Sequence, residues 1–328
     1  PPPELATTLW GVRFRSPLTN AAGMFKTGEG YATVAAQGAG GHLIGTTTAT
    51  PRRGNRKCGV PLPFAPYPRS GAASNWLGLP NPGHAAVARH LERVSRIDGC
   101  PIGASLSADP DPKIPTAQKL EDLAVGLHAY ARAGVDFIEI NESCPNTEAV
   151  SEDGRSAFQE MVERLSHVAT RFLATDDRPP VIVKFSNDTD PAQVADLLDV
   201  LVDLGFDGVN FGNTSTAYGR LRDQIEAADR PLYDYFTTAF GGGVSGRPLR
   251  DASLRLVEAA RQHLDQRVPE HEFHIVRTGG VETAADVRAS LDAGASLVQW
   301  YSGYFEAFAR QGHAVYARLY AELADSSA

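Results

Sequence analysis

A chain of 328 residues, 42% hydrophobic and 21% charged, has enough apolar surface to bury a large core in one sizeable domain or two smaller ones. A formal net charge of −8 excludes a general nucleic-acid binder, which needs a basic face. No apolar run reaches the length of a membrane span, and the start, PPPELATTLW, lacks the charged and apolar regions of a signal peptide, so a cytoplasmic protein is expected.

Strand and helix patterns alternate along the chain with little else. Leu18 to Ala22 reads as a short first strand running into AAGMFKTGEG. Leu43 to Thr48 is the second, and an irregular segment rich in Pro, Gly and Arg follows from Ala49 to Pro82. A loop this long inside a compact domain is usually functional or disordered. This one closes on SNWLGLPN (Ser74 to Asn81), too specific a mixture for a linker. A helix is predicted over Gly83–Ile97, a third strand over Ile102–Leu106 and a helix over Thr116–Ala133. Strand four, Phe137 to Ile140, turns polar at once: Asn141, Ser143, Cys144 and Asn146 crowd around Pro145, which fixes the turn.

A helix over Ser156–Ala174 and a fifth strand over Val181–Phe185 come next. After Asp190-Pro191, apolar residues fall at Val194, Leu197, Leu198, Leu201 and Val202, the stripe of a helix that covers a sheet. Val209 to Gly212 is strand six, and a second long loop runs from Asn213 to Arg247. Helix Pro248–Arg267, strand Ile275–Thr278, helix Thr283–Ala293, strand Leu297–Tyr301 and a last helix over Tyr304–Leu323 complete the alternation. The pattern predicts a single (β/α)8 TIM barrel domain over residues 1–328, with long loops after strands two and six. A doubly wound open sheet is the alternative, but no GxGxxG follows the first strand.

In such a barrel, chemistry collects at the C-terminal ends of the strands. TGGVET (Thr278 to Thr283) and YSG (Tyr301 to Gly303) close strands seven and eight, where barrels commonly build phosphate sites; GGGVSGRP (Gly241 to Pro248) offers a third glycine-rich wall. Each loop alone could be a tight turn. Together they favour a phosphorylated cofactor. Lys184 interrupts the apolar VIVKFS, so it needs either a barrel carboxylate such as Glu139 or an electron-rich group such as a reduced flavin beside it. Asn75, Asn141, Asn146 and Asn213, with Lys26, bring amides and a cation to the same end; amides read planar rings that alternate N–H and C=O.

AAGMFKTGE, SNWLGLPN, NESCPNT, VKFS, NTS, GGGVSGRPL, RTGGVET and GASLVQWYSG together resemble the motifs of the dihydroorotate dehydrogenase family from residue 21 to residue 303. The resemblance implies an FMN-containing barrel that oxidises a dihydropyrimidine carboxylate, removing a proton from C5 and a hydride from C6 to flavin N5. It assigns FMN contacts to Ala22, Gly23, Lys26, Thr46, Ser105, Asn141, Lys184, Asn213, Ser245, Gly246, Gly279, Gly280, Tyr301 and Ser302. It assigns the substrate ring and carboxylate to Lys26, Asn75, Leu77, Gly78, Leu79, Asn141, Asn146, Asn213 and Thr214, and the base to Cys144. A thiol with an ordinary pKa of about 8.5 can serve if its thiolate is modestly stabilised. The three cysteines (Cys58, Cys100, Cys144) sit at unrelated spacings, which suggests neither a disulfide framework nor a zinc site; Cys58 and Cys100 read as inert core residues.

Cysteine as base and GLPN are similar to the soluble class of the family, which uses fumarate or NAD and suggests a homodimer. Lys26, GVSGRPL and VQWYSG are more similar to the membrane-associated class, which uses quinone and has serine as base. Nine or ten residues precede Gly11-Val12-Arg13-Phe14, so a quinone tunnel is not expected. Glu142 stands in place of an apolar residue, and its carboxylate needs a partner or solvent; EAVSEDGR, Phe25 and Trp76 also depart from the family pattern and could reshape the pocket for a relative of dihydroorotate. Two further readings remain from the residues: a flavin-free lyase or isomerase barrel that binds a sugar phosphate, and a flavin-binding partner subunit without turnover.

Overall fold

The structure, a computed structural model, describes residues 1–142 and 156–325. Cys144 and Asn146 therefore lie outside the described residues.

Eight strands form one parallel sheet: β1 (Leu18–Asn20), β2 (His42–Thr47), β3 (Ile102–Leu106), β4 (Phe137–Asn141), β5 (Val181–Ser186), β6 (Gly208–Asn213), β7 (His274–Thr278) and β8 (Leu297–Trp300). They match the sequence pattern to within two residues at each end, because strands buried on both sides read as short apolar runs. Each strand from β2 to β8 pairs with the next, and β8 pairs with β1. Between β1 and β2 the ladder shrinks to one bridge, Thr19 to Gly41. Here the buried Asn20 carboxamide takes over: it donates to the Leu43 carbonyl (2.7 Å) and accepts from the Leu43 N–H (3.2 Å), as a backbone peptide would. The barrel is closed at its seam by a side chain.

Eleven helices accompany the strands among the described residues: α1 (Tyr31–Gln37), α2 (His84–Leu91), α3 (Thr116–Arg132), α4 (Ala157–Val168), α5 (Val194–Leu204), α6 (Tyr218–Arg222), α7 (Arg230–Ala239), α8 (Arg250–Gln266), α9 (Ala284–Asp292), α10 (Ser302–Gln311) and α11 (Val315–Asp325). None is long and apolar enough to cross a membrane. Local signals explain several boundaries. Asp190 caps the turn before α5 by accepting from the Ala192 N–H, Pro191 follows it, and Gly205 ends the helix in the left-handed region at φ 80°. Val194, Leu197, Leu198 and Leu201 are buried as the stripe requires. Reciprocal Ser156/Gln159 and Thr283/Asp286 capping boxes start α4 and α9.

Three expectations need correction. The helix predicted to reach Ile97 stops at Leu91: the Arg93 and Val94 N–H groups bond three residues back, to His90 and Leu91 (both 3.1 Å), and the Ile97 N–H is taken by the Tyr31 hydroxyl (2.9 Å). The single last helix is two, broken at Gly312, whose φ of 57° leaves the helical region. The two long loops are also structured. Phe64–Tyr67, Ala72–Asn75 and Gly243–Gly246 form a three-stranded antiparallel sheet that joins one loop to the other, and α6 and α7 fill the rest of the second.

The barrel floor is apolar. Leu43, Phe137, Ile182, Val276 and Leu297 meet inside it, and Leu9 and Phe14 of an N-terminal hairpin (Thr7–Leu9, Val12–Phe14) plug it from below. Gly103 on β3 is needed here: a Cβ would sit 2.2 Å from the Phe137 ring.

Candidate active site

At the C-terminal ends of the strands the interior opens into a cavity of about 920 Å³ including its open mouth. Ala21, Ala22, Gly23 and Lys26 line it from the end of β1, Thr46 from β2, Asn141 from β4 and Lys184 from β5. Gly212, Asn213 and Thr214 follow from β6, Thr278 to Val281 from β7, and Gln299 to Gly303 from β8. Asn75, Leu77, Leu79, Ser245, Gly246 and Leu249 come from the two long loops. Register explains why these last residues meet: Asn75 pairs with Gly243 and Ala73 with Ser245 across the small antiparallel sheet. The Ser245 hydroxyl then lies 3.0 Å from that of Ser302, tying the loops to β8.

Beneath the cavity, directly above the apolar floor, the barrel interior is polar. The Glu139 carboxylate is fully buried and is satisfied on both oxygens. One oxygen accepts from Ser105 (3.0 Å) and from the Lys184 ammonium (3.5 Å); the other accepts from Asn210 (2.7 Å) and Gln299 (3.4 Å). The Thr278 hydroxyl, with one proton to donate, lies between the side-chain carbonyl oxygens of Asn210 (3.0 Å) and Gln299 (2.9 Å). The network climbs to the mouth through Ser105 and Thr46 (3.0 Å), Asn141 to Thr46 (3.3 Å) and Asn213 to Asn141 (2.8 Å). An unpaired charge at this depth would be strongly disfavoured. Lys184 pairs with Glu139, as the first of the two sequence readings has it, and it also lines the cavity.

One end of the cavity suits an anion. Gly279 and Gly280 have φ values of 126° and 71°, which a residue with a Cβ adopts only under strain. Ser302 and Gly303 open α10, whose first turn has no side-chain cap and no acidic residue. Its free N–H groups and the positive end of its dipole favour a negative ligand. A Cβ on Gly303 would lie 2.2 Å from the Val281 carbonyl, so the β7 and β8 loops approach closely only because that residue is glycine. Burial raises the Tyr301 hydroxyl above its ordinary pKa, so it stays a neutral donor. The Thr214 hydroxyl is buried in the wall and has no hydrogen-bond partner among the described residues.

Most of the sequence-predicted residues meet here. Of the predicted residues that are described, two do not line the cavity: Ser105 is buried behind Thr46, and Gly78 turns against Asn55, where a Cβ would meet the amide at 2.1 Å. Gln299, Thr278, Leu249, Val281 and Gly212 line it without having been singled out; the glutamine inside LVQW carried the same signal as Lys184, a polar residue within an apolar strand. Glu142 finds its partner in Arg164 of α4, which donates to it twice (3.0 and 2.8 Å) while the carboxylate side chain is 3% exposed. Phe25 packs on the ring of His42 at 4.9 Å, and Trp76 carries the Lys57 ammonium over its ring at 5.8 Å. Cys100 is a buried thiol pushed up to about 11, as an inert core residue should be. Cys58 is not in the core: it is exposed in the turn between Arg56–Lys57 and Val60–Pro61.

Comparison with known proteins adds the following. The family model described as dihydroorotate dehydrogenase matches residues 4–325. A dihydroorotate dehydrogenase (quinone) from Leifsonia xyli subsp. xyli is 34% identical over 308 residues, covering 93% of this chain and 81% of that protein. A protein of the same name from Salinispora arenicola is 34% identical over 299 residues, covering 90% and 79%. The solved structure of DHODH from Eimeria tenella in complex with ferulenol superposes with a TM-score of 0.74 at 26% identity, covering 98% of this chain and 84% of that one.

Proposed function

Because the chain belongs to the dihydroorotate dehydrogenase family, we propose that it oxidises dihydroorotate to orotate at the CH–CH bond of the ring, with a flavin, FMN, held in the barrel mouth as one domain spanning residues 1–328. The observation that carries this reading is the pairing of a buried ammonium with an anion-suited end in one cavity: Lys184 at the floor, and Gly279, Gly280 and the start of α10 at the side.

The donor set fits a flavin. Thr46, Asn141 and Asn213 would offer polar groups to a planar ring, Lys184 would supply positive charge beside it, and the glycine loops with Ser245 and Ser302 would suit a terminal phosphate. The Thr214 hydroxyl, which has no hydrogen-bond partner among the described residues, and the mouth residues Lys26, Asn75, Leu77 and Leu79 are assigned to the substrate ring and its carboxylate. A flavin bound there supplies the hydride acceptor for C6. Cys144, three residues beyond Asn141, and Asn146 complete the proposal as the base for the C5 proton and as a ring-holding amide. Asn141 is itself held between Thr46 and Asn213, so a ring bonded to it inherits a fixed orientation.

Cys144→Ala tests the assignment. The variant should retain flavin, while anaerobic reduction of that flavin by dihydroorotate should slow by about 10²–10⁴-fold, the usual worth of a positioned base. Undiminished reduction would remove Cys144 from the mechanism. A colourless wild-type protein would favour the flavin-free lyase or isomerase instead, and a coloured one that dihydroorotate never bleaches would favour the non-catalytic subunit. For the electron acceptor we infer a quinone, since the relatives compared above carry that name. Turnover supported by fumarate or NAD but not by quinone would overturn that. A homodimer in the cytoplasm completes the proposal, and a monomeric sedimentation coefficient would contradict the dimer.

A further inference from the structure

Arg277 of β7 is the only arginine among the described residues that is buried, and it is buried completely. It points away from the barrel interior, into the layer between β7, α8 and α9, and no carboxylate among the described residues stands within ion-pair distance of it. Its Nε donates to the Ser253 hydroxyl (3.0 Å). One terminal nitrogen donates to the Ser290 hydroxyl (2.7 Å) and the Asp286 carbonyl (3.3 Å); the other donates to the carbonyls of Arg250 (2.8 Å) and Gly279 (3.5 Å). Burial lowers the guanidinium to about 10, which still leaves it charged at neutral pH. The neighbouring carboxylates are engaged elsewhere: Asp286 with Arg250 (2.8 Å), and Glu282 with Arg247 (3.0 Å).

Its direct hydrogen bonds go only to neutral oxygens, and the Asp286 carboxylate acts on it from beyond contact; a cation desolvated in this way gains from a further anion nearby. The oxygens it holds show where that anion would sit. The Gly279 carbonyl lies 2.8 Å from the Ser253 hydroxyl, which Arg277 holds through its Nε, and 3.5 Å from an Arg277 terminal nitrogen; because the Gly279–Gly280 peptide is planar and trans, the Gly280 N–H faces the opposite way. Gly280 lines the cavity at its anion-suited end. Resting on the functional reading above, we propose that Arg277 is a positioning residue for the terminal phosphate of the cofactor: it orients the Gly279–Gly280 peptide toward that phosphate and supplies the positive charge behind it.

The test compares FMN with riboflavin, which shares the ring system and lacks the phosphate. The full-length chain is stripped of flavin and titrated with each, for the wild type, Arg277→Gln and Arg277→Lys, with thermal melts alongside. The wild type should prefer FMN. Arg277→Gln should lower the FMN-to-riboflavin affinity ratio about tenfold, and Arg277→Lys, which keeps the charge but loses the planar fork, should lower it less. A merely structural role would weaken both flavins equally, and that result, or an unchanged ratio, overturns the proposal. Should Arg277→Gln fail to fold, the lysine variant decides alone, and a wild-type ratio in it sinks the idea. A wild type that binds neither flavin defeats the functional reading and this inference with it; a wild type that prefers FMN while the variants do the same defeats only the inference.

Discussion

Phe137 and Glu139 lie two residues apart on β4 and face the same barrel interior, yet they belong to different worlds. Phe137 joins the apolar floor with Leu43, Ile182, Val276, Leu297 and the plug from the N-terminal hairpin. Glu139 anchors a hydrogen-bonded layer that ends at the cavity. The floor holds the barrel together through area removed from water, which is indifferent to direction. The layer above it holds specific groups in specific orientations, and it does so at the cost of burying a charge pair. The lower layer serves stability; the upper one serves the site.

Three substitutions break or sharpen this contrast. The largest effect belongs to Phe137→Ala, which should cost about 3–5 kcal/mol through lost burial and the cavity left behind. Chemical denaturation should show that loss, while flavin reduction per folded molecule stays near the wild-type rate; an equal collapse of both would mean the two layers are not separable. Glu139→Gln removes the charge but keeps the shape. It should cost about 3 kcal/mol, at the low end of what removing one partner of a buried ion pair costs, since the Lys184 ammonium loses its counter-charge but keeps a hydrogen-bond acceptor. It should also slow turnover about tenfold as Lys184 loses its anchor. Unchanged turnover in that variant would make the polar layer a structural feature only.

The smallest effect tests the outward face of β2, beside Leu43 of the floor. His42 is fully buried against Phe25 and Tyr31, neither ring nitrogen has a partner among the described residues, and burial lowers it to about 4. Between that value and an unfolded pKa of about 6.5, the unfolded chain binds the proton and the folded chain does not, so stability falls as pH drops through this window. His42→Phe should remove that loss and be more stable than wild type by about 2 kcal/mol at pH 5. Above pH 7 the difference should vanish; melting curves that differ equally at both pH values would show a packing effect instead.

Much of this was legible beforehand, for reasons that differ by element. The eight barrel strands show as apolar runs because each is buried on both sides. Lys184 announced itself by interrupting such a run, and its pairing with Glu139 was among the readings the residues allowed. Arg277 in HIVRTGG carries the same signal, but a charge inside a strand pattern does not say whether it faces the barrel or, as here, the helices outside it. Glu142 was visible as an anomaly, but its answer, Arg164, is 22 residues away on a helix face that pattern alone does not aim.

From the order of its residues alone this chain determined a barrel, the end of it where chemistry gathers, and the residue types gathered there, because periodicity and turn chemistry act between neighbours along the chain. Folding in three dimensions decided the rest: that Asn20 closes the seam, that Ala73 and Ser245 pair across 172 residues to wall the mouth, and that one buried carboxylate satisfies donors from four strands. Hydrogen bonds of that kind depend on distance and angle between groups remote in sequence, and those are set only when the whole barrel closes.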